Sequence, residues 1–572
     1  MKISGFIRGI AVMLTFASVF PVRAQSEKPT SPAALTPGAQ FSALRDEYVS
    51  KFRPLFEKSS LAWWEANTTG DKKAFERRTE AEKAIVDLHA DKAMFAKIKT
   101  LKDGGQIRDP KLARELDVMY RSFLPGQADP DLLKKIVALE SEVEETFNKH
   151  RGQVGDKTLS ENDIRKILSE TKDSKEAEQA WKAYMEVGTN VAPKLKELVA
   201  LRNQNARKLG FTNFFQMRLT LQEIDEKELL HLFDELDNLT REPFTVLKKE
   251  IDSARAAKFG IKIEDLRPWH FGDLFFQEAP ELEAVNLDDL YKDKDLVALA
   301  KKYYEGLGMN VDDILARSDL YEKEGKSPHA FSANLNRADD VRVLCNLEKN
   351  VYWADTLFHE LGHAVYDKYI GKDVPFLLHE PSHSLTTEGY AMMVGAIVKN
   401  EDWLQRGLEV PKDKSAPLTQ AARRSLRAEK LIFARWSQVM TRFEQGMYSN
   451  ADQDLGKLWW DLKRKYQLLN PPESVSRPDY AAKIHIVTAP VYYHSYLMGE
   501  LFACQVHAYI AATLLKVDDP RKTSFYGSKE VGNYMRERIF GPGNLYPWND
   551  LTKFATGEPL TPKYFVKQNI SP

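Results

Sequence analysis

Cysteine is almost absent from this chain: Cys345 and Cys504 are the only two in 572 residues, and they lie far apart. A disulfide framework is therefore excluded as the organiser of the fold, and two buried free thiols are the expected state, with one long-range bridge as the alternative. An excess of charge of either sign is also missing, since 82 Lys+Arg stand against 83 Asp+Glu. The net field gives no reason to expect nucleic acid or an anionic membrane as a partner. Beyond the N-terminus no apolar run approaches the roughly 20 residues that span a bilayer, so no stable membrane insertion is expected. Internal repeats are lacking, as are Pro/Gly/Ser linkers within the body. Although a prior of about 150 residues per domain suggests several domains, a single helical domain over 41–572 is the expectation, and no feature sets an oligomeric state.

The N-terminus has the layout of a secretory signal peptide: Lys2, Arg8, an apolar run from Gly9 to Phe20, then Val22-Arg23-Ala24. Residues 1–24 are expected to be removed after Ala24, which makes the protein exported, periplasmic or secreted. The alternative is an uncleaved anchor or a lipidated N-terminus, but no cysteine near the cleavage point could accept a lipid. Residues 25–40, rich in Ser, Pro, Thr and Ala, read as a flexible tether.

Hydrophobic residues make up 43% of the chain and aromatics 11%, ample for a large core. Phe41, Leu44, Tyr48, Phe52 and Leu55 recur near every 3.6 residues, the stripe of an amphipathic helix. Long helical patterns follow at Asp131 to Lys149, at Glu226 to Lys258 with an interruption at Pro243, and at Ala421 to Met447. The fold class is thus mainly α. One strand-like interval, Ala330 to Leu335 and Val341 to Cys345 flanking Asn336 to Asp340, predicts a β-hairpin with a five-residue loop.

Directly after that hairpin comes His359-Glu360-Leu361-Gly362-His363 in a helical stretch. Histidines at i and i+4 share a helix face and can reach one zinc ion, with the intervening glutamate facing the remaining coordination position. Such a site hydrolyses peptides: zinc acidifies a water and Glu360 takes its proton. Alone, the five-residue pattern also arises by chance, and two solvated or core histidines are the competing reading. The metzincin extension is ruled out because Tyr366 stands where it needs glycine. A distant carboxylate must complete the site, and Glu388, opening a helix-like run 25 residues past His363, is the best candidate. Glu380, before Pro381, is the weaker one. His379 and His383 could face substrate, although satisfied surface histidines are the simpler reading. Asp355, one turn before His359, could orient a ligand or simply stabilise a helix N-terminus. Further on, Lys483, His485, Tyr492, Tyr493, His494 and Tyr496 gather groups able to bind a carboxylate and an oxyanion, although aromatics at helical spacing are more often core.

Taken together, these segments resemble the angiotensin-converting enzyme (peptidyl-dipeptidase A) family of gluzincins. The resemblance runs from Leu61-Ala62-Trp63-Trp64-Glu65-Ala66-Asn67-Thr68-Thr69 through the Arg202 to Phe215 stretch, His329-Ala330, the His359 motif and Glu388. It continues to the tail with Gly543, Pro547-Trp548, Thr556-Gly557 and Tyr564-Phe565. It implies a two-lobed helical body with a deep cleft, one zinc per chain, and oligopeptides lying antiparallel to the strand that begins at His329 and Ala330. By position it implies Glu360 as base and then acid, His329 and His485 on a substrate carbonyl, Tyr496 on the oxyanion, and Lys483 with Tyr493 on the C-terminal carboxylate. An anchor two residues from the zinc implies release of dipeptides.

This sequence departs from the family in several places. One residue is inserted between His485 and Tyr493, so Tyr492 competes for the latter's role. The carboxylate pocket's glutamine is expected near Trp269-His270-Phe271, where there is none. Ser495 replaces the arginine of the family's chloride site, which argues against chloride activation by that route. Met392 replaces an aspartate expected to support a zinc ligand, and Pro328 replaces the usual mate of Cys345. A thimet-type oligopeptidase or a metallocarboxypeptidase is the alternative within the class. An inactive peptide-binding relative is the alternative outside it.

Overall fold

The computed structural model describes residues 35–280 and 286–571, so the expected signal peptide and most of the tether lie outside the described residues. Helices dominate, and among the described residues the strands form two antiparallel two-stranded sheets. The first helix, Pro37–Thr69, begins inside the stretch read as tether. The Thr36 hydroxyl accepts from the Ala39 amide, and Pro37 opens the helix with a preset φ. Phe41, Leu44, Tyr48 and Phe52 are buried as the spacing predicts, in a small core with Met94, Ile98, Met119, Phe123 and Leu377 that is separate from the main one.

The interruption expected at Pro243 does not occur, because one helix runs from Glu226 to Phe259. Its buried face, Leu236, Thr240, Phe244 and Ile251, continues straight past the proline. Packing along that face outweighs the ~3 kcal/mol that a mid-helix proline costs. The other two expected helices are present as Pro130–Lys149 and Lys412–Ser449.

The predicted hairpin pairs Phe331–Asn334 with Val341–Leu344, Phe331 opposite Leu344 and Asn334 opposite Val341. The Asn336 side chain accepts from the amides of Ala338 and Asp340, which closes the loop. Phe331 is wedged against Trp63 (4.2 Å between centroids) and Trp64 (6.0 Å), so the early tryptophan signature clamps this strand. Cys345 and Cys504 are buried and free.

Three helices build the centre: a histidine helix, Val351–Lys368, a glutamate helix, Ser384–Gly395, and a tyrosine helix, Tyr493–Tyr509. Two glycines let them touch. A β-carbon on Gly362 would lie 3.0 Å from the Ala391 Cα, and one on Gly389 would lie 2.5 Å from the Gly499 carbonyl oxygen. The glutamate helix is thereby sandwiched with its backbone in contact on both sides. The stretch Tyr493–Leu514 proves long and apolar enough to cross a membrane by composition, which sequence reading had not credited. Here it is a core element, with 67% of its apolar window buried.

Candidate metal centre and substrate pocket

Asn350 caps the histidine helix, its side-chain oxygen accepting from the Trp353 amide at 2.8 Å. One turn separates His359 from His363, and their Nε2 atoms stand 3.2 Å apart. The Glu388 Oε2 lies 3.6 Å from one and 3.7 Å from the other. A tetrahedral zinc with bonds near 2.1 Å holds its ligand atoms roughly 3.4 Å apart, so this donor set fits zinc by type and by spacing. Orientation is fixed from outside the group, since the Thr387 hydroxyl and His363 Nδ1 are 2.7 Å apart. That contact leaves Nε2 free for a metal. It also supplies a polar support that the loss of aspartate at Met392 had seemed to remove. Asp355 ion-pairs with Lys399 at 2.6 Å, and its charge acts on His359 against the dominant effect of burial.

Glu360 is buried, and its carboxyl is pushed up to about 8, first by burial and then by the charge of Glu388. The backbone N–H of Ser332, on the hairpin, donates to it and opposes that shift. A cation between these carboxylates would relieve the repulsion. Tyr496 is about one-third exposed (36%), with its phenol raised by burial, by Tyr492 and by Glu388. Tyr492 packs edge-on against Tyr496, with 5.2 Å between centroids.

A second cluster forms around Lys483. Its ammonium donates to Gln277 Oε1 at 2.6 Å and lies 5.7 Å from the ring centroid of Tyr493. His485 packs on the same tyrosine at 5.6 Å between centroids. Tyr493, rather than Tyr492, is thus the tyrosine grouped with the lysine. No glutamine stands at Trp269-His270-Phe271, but Gln277, six residues past Phe271, lies in a turn that brings it to Lys483. Burial lowers Lys483 to about 8, and burial followed by the Lys483 charge lowers His485 to about 4. His485 is therefore neutral at pH 7, with a buried Nδ1 that has no hydrogen-bond partner. A cavity of about 360 Å³ opens here, lined among others by Phe147, Arg165, Tyr184, Gln277, Lys483 and His485.

The remaining candidates are placed differently. His329 is exposed just before the strand, its amide held by Ser327, and Ala330 is half-buried beside it. The strand itself begins at Phe331. His379 and His383 are not surface histidines as expected. His379 is buried, and His383 Nδ1 caps the glutamate helix by accepting from the Leu385 amide at 3.0 Å. Ser495 is buried next to Gln222, where its hydroxyl contributes no positive charge. Three residues that sequence reading missed, Ser332, Thr387 and Gln277, each act on a residue that it had found.

Comparison with known proteins agrees with this arrangement. The profile of a protein family described as angiotensin-converting enzyme, peptidase family M2, matches residues 39–254 and 276–563. The angiotensin-converting enzyme-like protein Ace3 of Mus musculus is 23% identical over 484 residues, covering 78% of this chain and 64% of that protein. Angiotensin-converting enzyme of Sus scrofa is 21% identical over 559 residues, covering 91% of this chain and 42% of the other. An inactive angiotensin-converting enzyme-related protein of Caenorhabditis elegans is 21% identical over 373 residues, covering 57% and 40%. The chain thus spans between two-fifths and two-thirds of the length of these relatives.

Proposed function

The chain belongs to the angiotensin-converting enzyme family of zinc metallopeptidases, and from that premise we propose that it is an exported peptidyl-dipeptidase that removes dipeptides from the free C-termini of oligopeptides. The observation that carries this reading is the pairing of two clusters. One is a His359–His363–Glu388 triangle of zinc-ligand spacing beside a buried Glu360. The other is a cationic pocket in which Lys483, Gln277 and Tyr493 converge.

Zinc, when bound, supplies a Lewis acid that lowers the pKa of water and polarises a carbonyl. The chain's own residues do the rest. Glu360, whose ionised form a cation held beside it would favour, takes a proton from the attacking water and returns it to the leaving amine. Tyr496 donates its phenolic hydrogen to the oxyanion that develops on the scissile carbonyl. His329 and the neutral His485 donate to a neighbouring substrate carbonyl, and the backbone at Ala330 pairs with the extended peptide. Lys483, Gln277 and Tyr493 receive the terminal carboxylate and so set the bond that is cut. Ser495 brings no charge to the position of the family's chloride ligand, so chloride is not assigned a role. The nematode relative is named inactive, but His359, Glu360, His363 and Glu388 all stand here, which supports an active enzyme.

The test combines metal analysis with product masses. Purified protein is expected to hold one zinc per chain and to shorten peptides by two residues from a free C-terminus, sparing their C-terminal amides. Glu360→Gln is expected to retain zinc while turnover falls by a factor on the order of 10²–10⁴. Absence of zinc, or cleavage indifferent to amidation, refutes the assignment.

A further inference from the structure

We infer that Gln467, oriented by Lys463, is a positioning residue for the carboxylate anchor: it holds the turn that presents Gln277 to Lys483. The inference rests on reading Lys483, Gln277 and Tyr493 as that anchor. It begins from the backbone of residues 273–277, which is neither helix nor strand. Phe276 lies at φ 54, in the left-handed region, which is unfavourable for a residue with a β-carbon. Such a conformation persists only where its surroundings impose it.

Three successive carbonyls of this turn are each held by a buried side chain from another helix. Trp181 Nε1 donates to the Leu274 oxygen at 2.9 Å, and Lys463 Nζ donates to the Phe275 oxygen at 2.8 Å. Gln467 Nε2 donates to the Phe276 oxygen at 2.6 Å and reaches the Phe275 oxygen at 3.3 Å. From the other side, the Asp273 carboxylate accepts from the amides of Phe275 at 3.2 Å and Gln277 at 2.7 Å. The Gln467 amide cannot flip without loss, because Lys463 Nζ also donates to its Oε1 at 2.7 Å. That bond identifies the oxygen end and commits the nitrogen to the carbonyls.

Gln467 is fully buried and Lys463 is 2% exposed, and burial lowers the Lys463 ammonium against the opposing charges of Asp273 and Asp479. Burying an amine this deeply is costly, and apolar residues of similar volume would fill the same space more favourably. The hydrogen bonds of this pair go to each other and to the turn. What the turn delivers is the direction of the Gln277 side chain. Gln467 does not touch substrate and acts through Gln277.

Equilibrium binding provides the test, with the tripeptide Phe-Ala-Phe and its C-terminal amide titrated into the zinc-loaded Glu360→Gln protein, which does not consume them. Gln467→Met keeps the volume and removes the donor; it is expected to raise the Kd of the free acid about tenfold and to leave the amide within twofold. Gln467→Glu keeps a partner for Lys463, so it preserves packing if the methionine variant fails to fold, and the same selective loss is expected. Combined with Gln277→Leu, either substitution should add nothing to the loss caused by Gln277→Leu alone, because both act on one contact. Equal weakening of acid and amide, or losses that add in the double variant, overturns the inference. If the unaltered pocket binds acid and amide alike, and Lys483→Met changes neither, it is the anchor itself that is wrong.

Discussion

At the scale of single residues, the support of His363 by Thr387 is the most exposed to test. Removing the hydroxyl with Thr387→Val keeps shape but leaves Nδ1 without its 2.7 Å partner. Zinc affinity, measured by competition with a chromophoric chelator, is expected to fall by about 10- to 100-fold. Lys483 gives a pH signature. Its ammonium is lowered to about 8 by burial, so the charged form prevails below that pH and is lost above it. The value of kcat/KM for free-acid peptides, which reports the unliganded enzyme, is expected to fall as pH rises through about 8. In Lys483→Met that limb is expected to vanish, with kcat/KM low throughout. His359, His363 and Glu360 were legible because helical periodicity alone puts them together. Gln277 was not: it meets Lys483 across 206 positions of sequence, next to the interval 255–275 that the family profile leaves unmatched. The histidines 379 and 383 were misjudged for the same reason, since their burial is set by distant chain.

At the scale of elements, the site depends on close helix crossings. A methyl group on Gly389 would meet the Gly499 carbonyl at 2.5 Å, which rigid helices on both sides cannot relieve. Gly389→Ala is expected to destabilise the fold by about 1–3 kcal/mol, as overpacking does. The shift would be read from the urea midpoint, accompanied by weaker zinc binding as Glu388 is pushed off. The segment between His485 and Tyr493 is held by another long-range device. Arg202 donates to the carbonyls of Ile486 at 3.2 Å and Val487 at 2.6 Å, while the Glu444 carboxylate accepts from the Val491 amide at 2.8 Å. Val491 lies at φ 55, between His485 and Tyr493. The hairpin and the long helices could be read from local pattern. Continuity through Pro243 could not, because a neighbouring helix face decides it.

For the molecule as a whole, the metal is expected to hold two helices together. Glu388 approaches two imidazoles from a separate helix, and Glu360 faces it across the same space with a raised carboxyl. A ligand that binds only the folded chain stabilises it by about 4 kcal/mol when present at a thousand times its Kd. Chelation followed by thermal denaturation is therefore expected to lower Tm by several degrees, with recovery on adding back one equivalent of zinc. An unchanged Tm would separate the ion from the stability of the fold.

The sequence by itself determined the helical class, the histidine pair one turn apart, the glutamate on the following helix and the family, because each is written in local periodicity or in ordered short motifs. Only the tertiary structure decided which tyrosine and which glutamine meet Lys483, and what fixes the ring of His363. Those are contacts between segments up to two hundred residues apart, and they follow from how helices cross and turns are held, which no local pattern encodes.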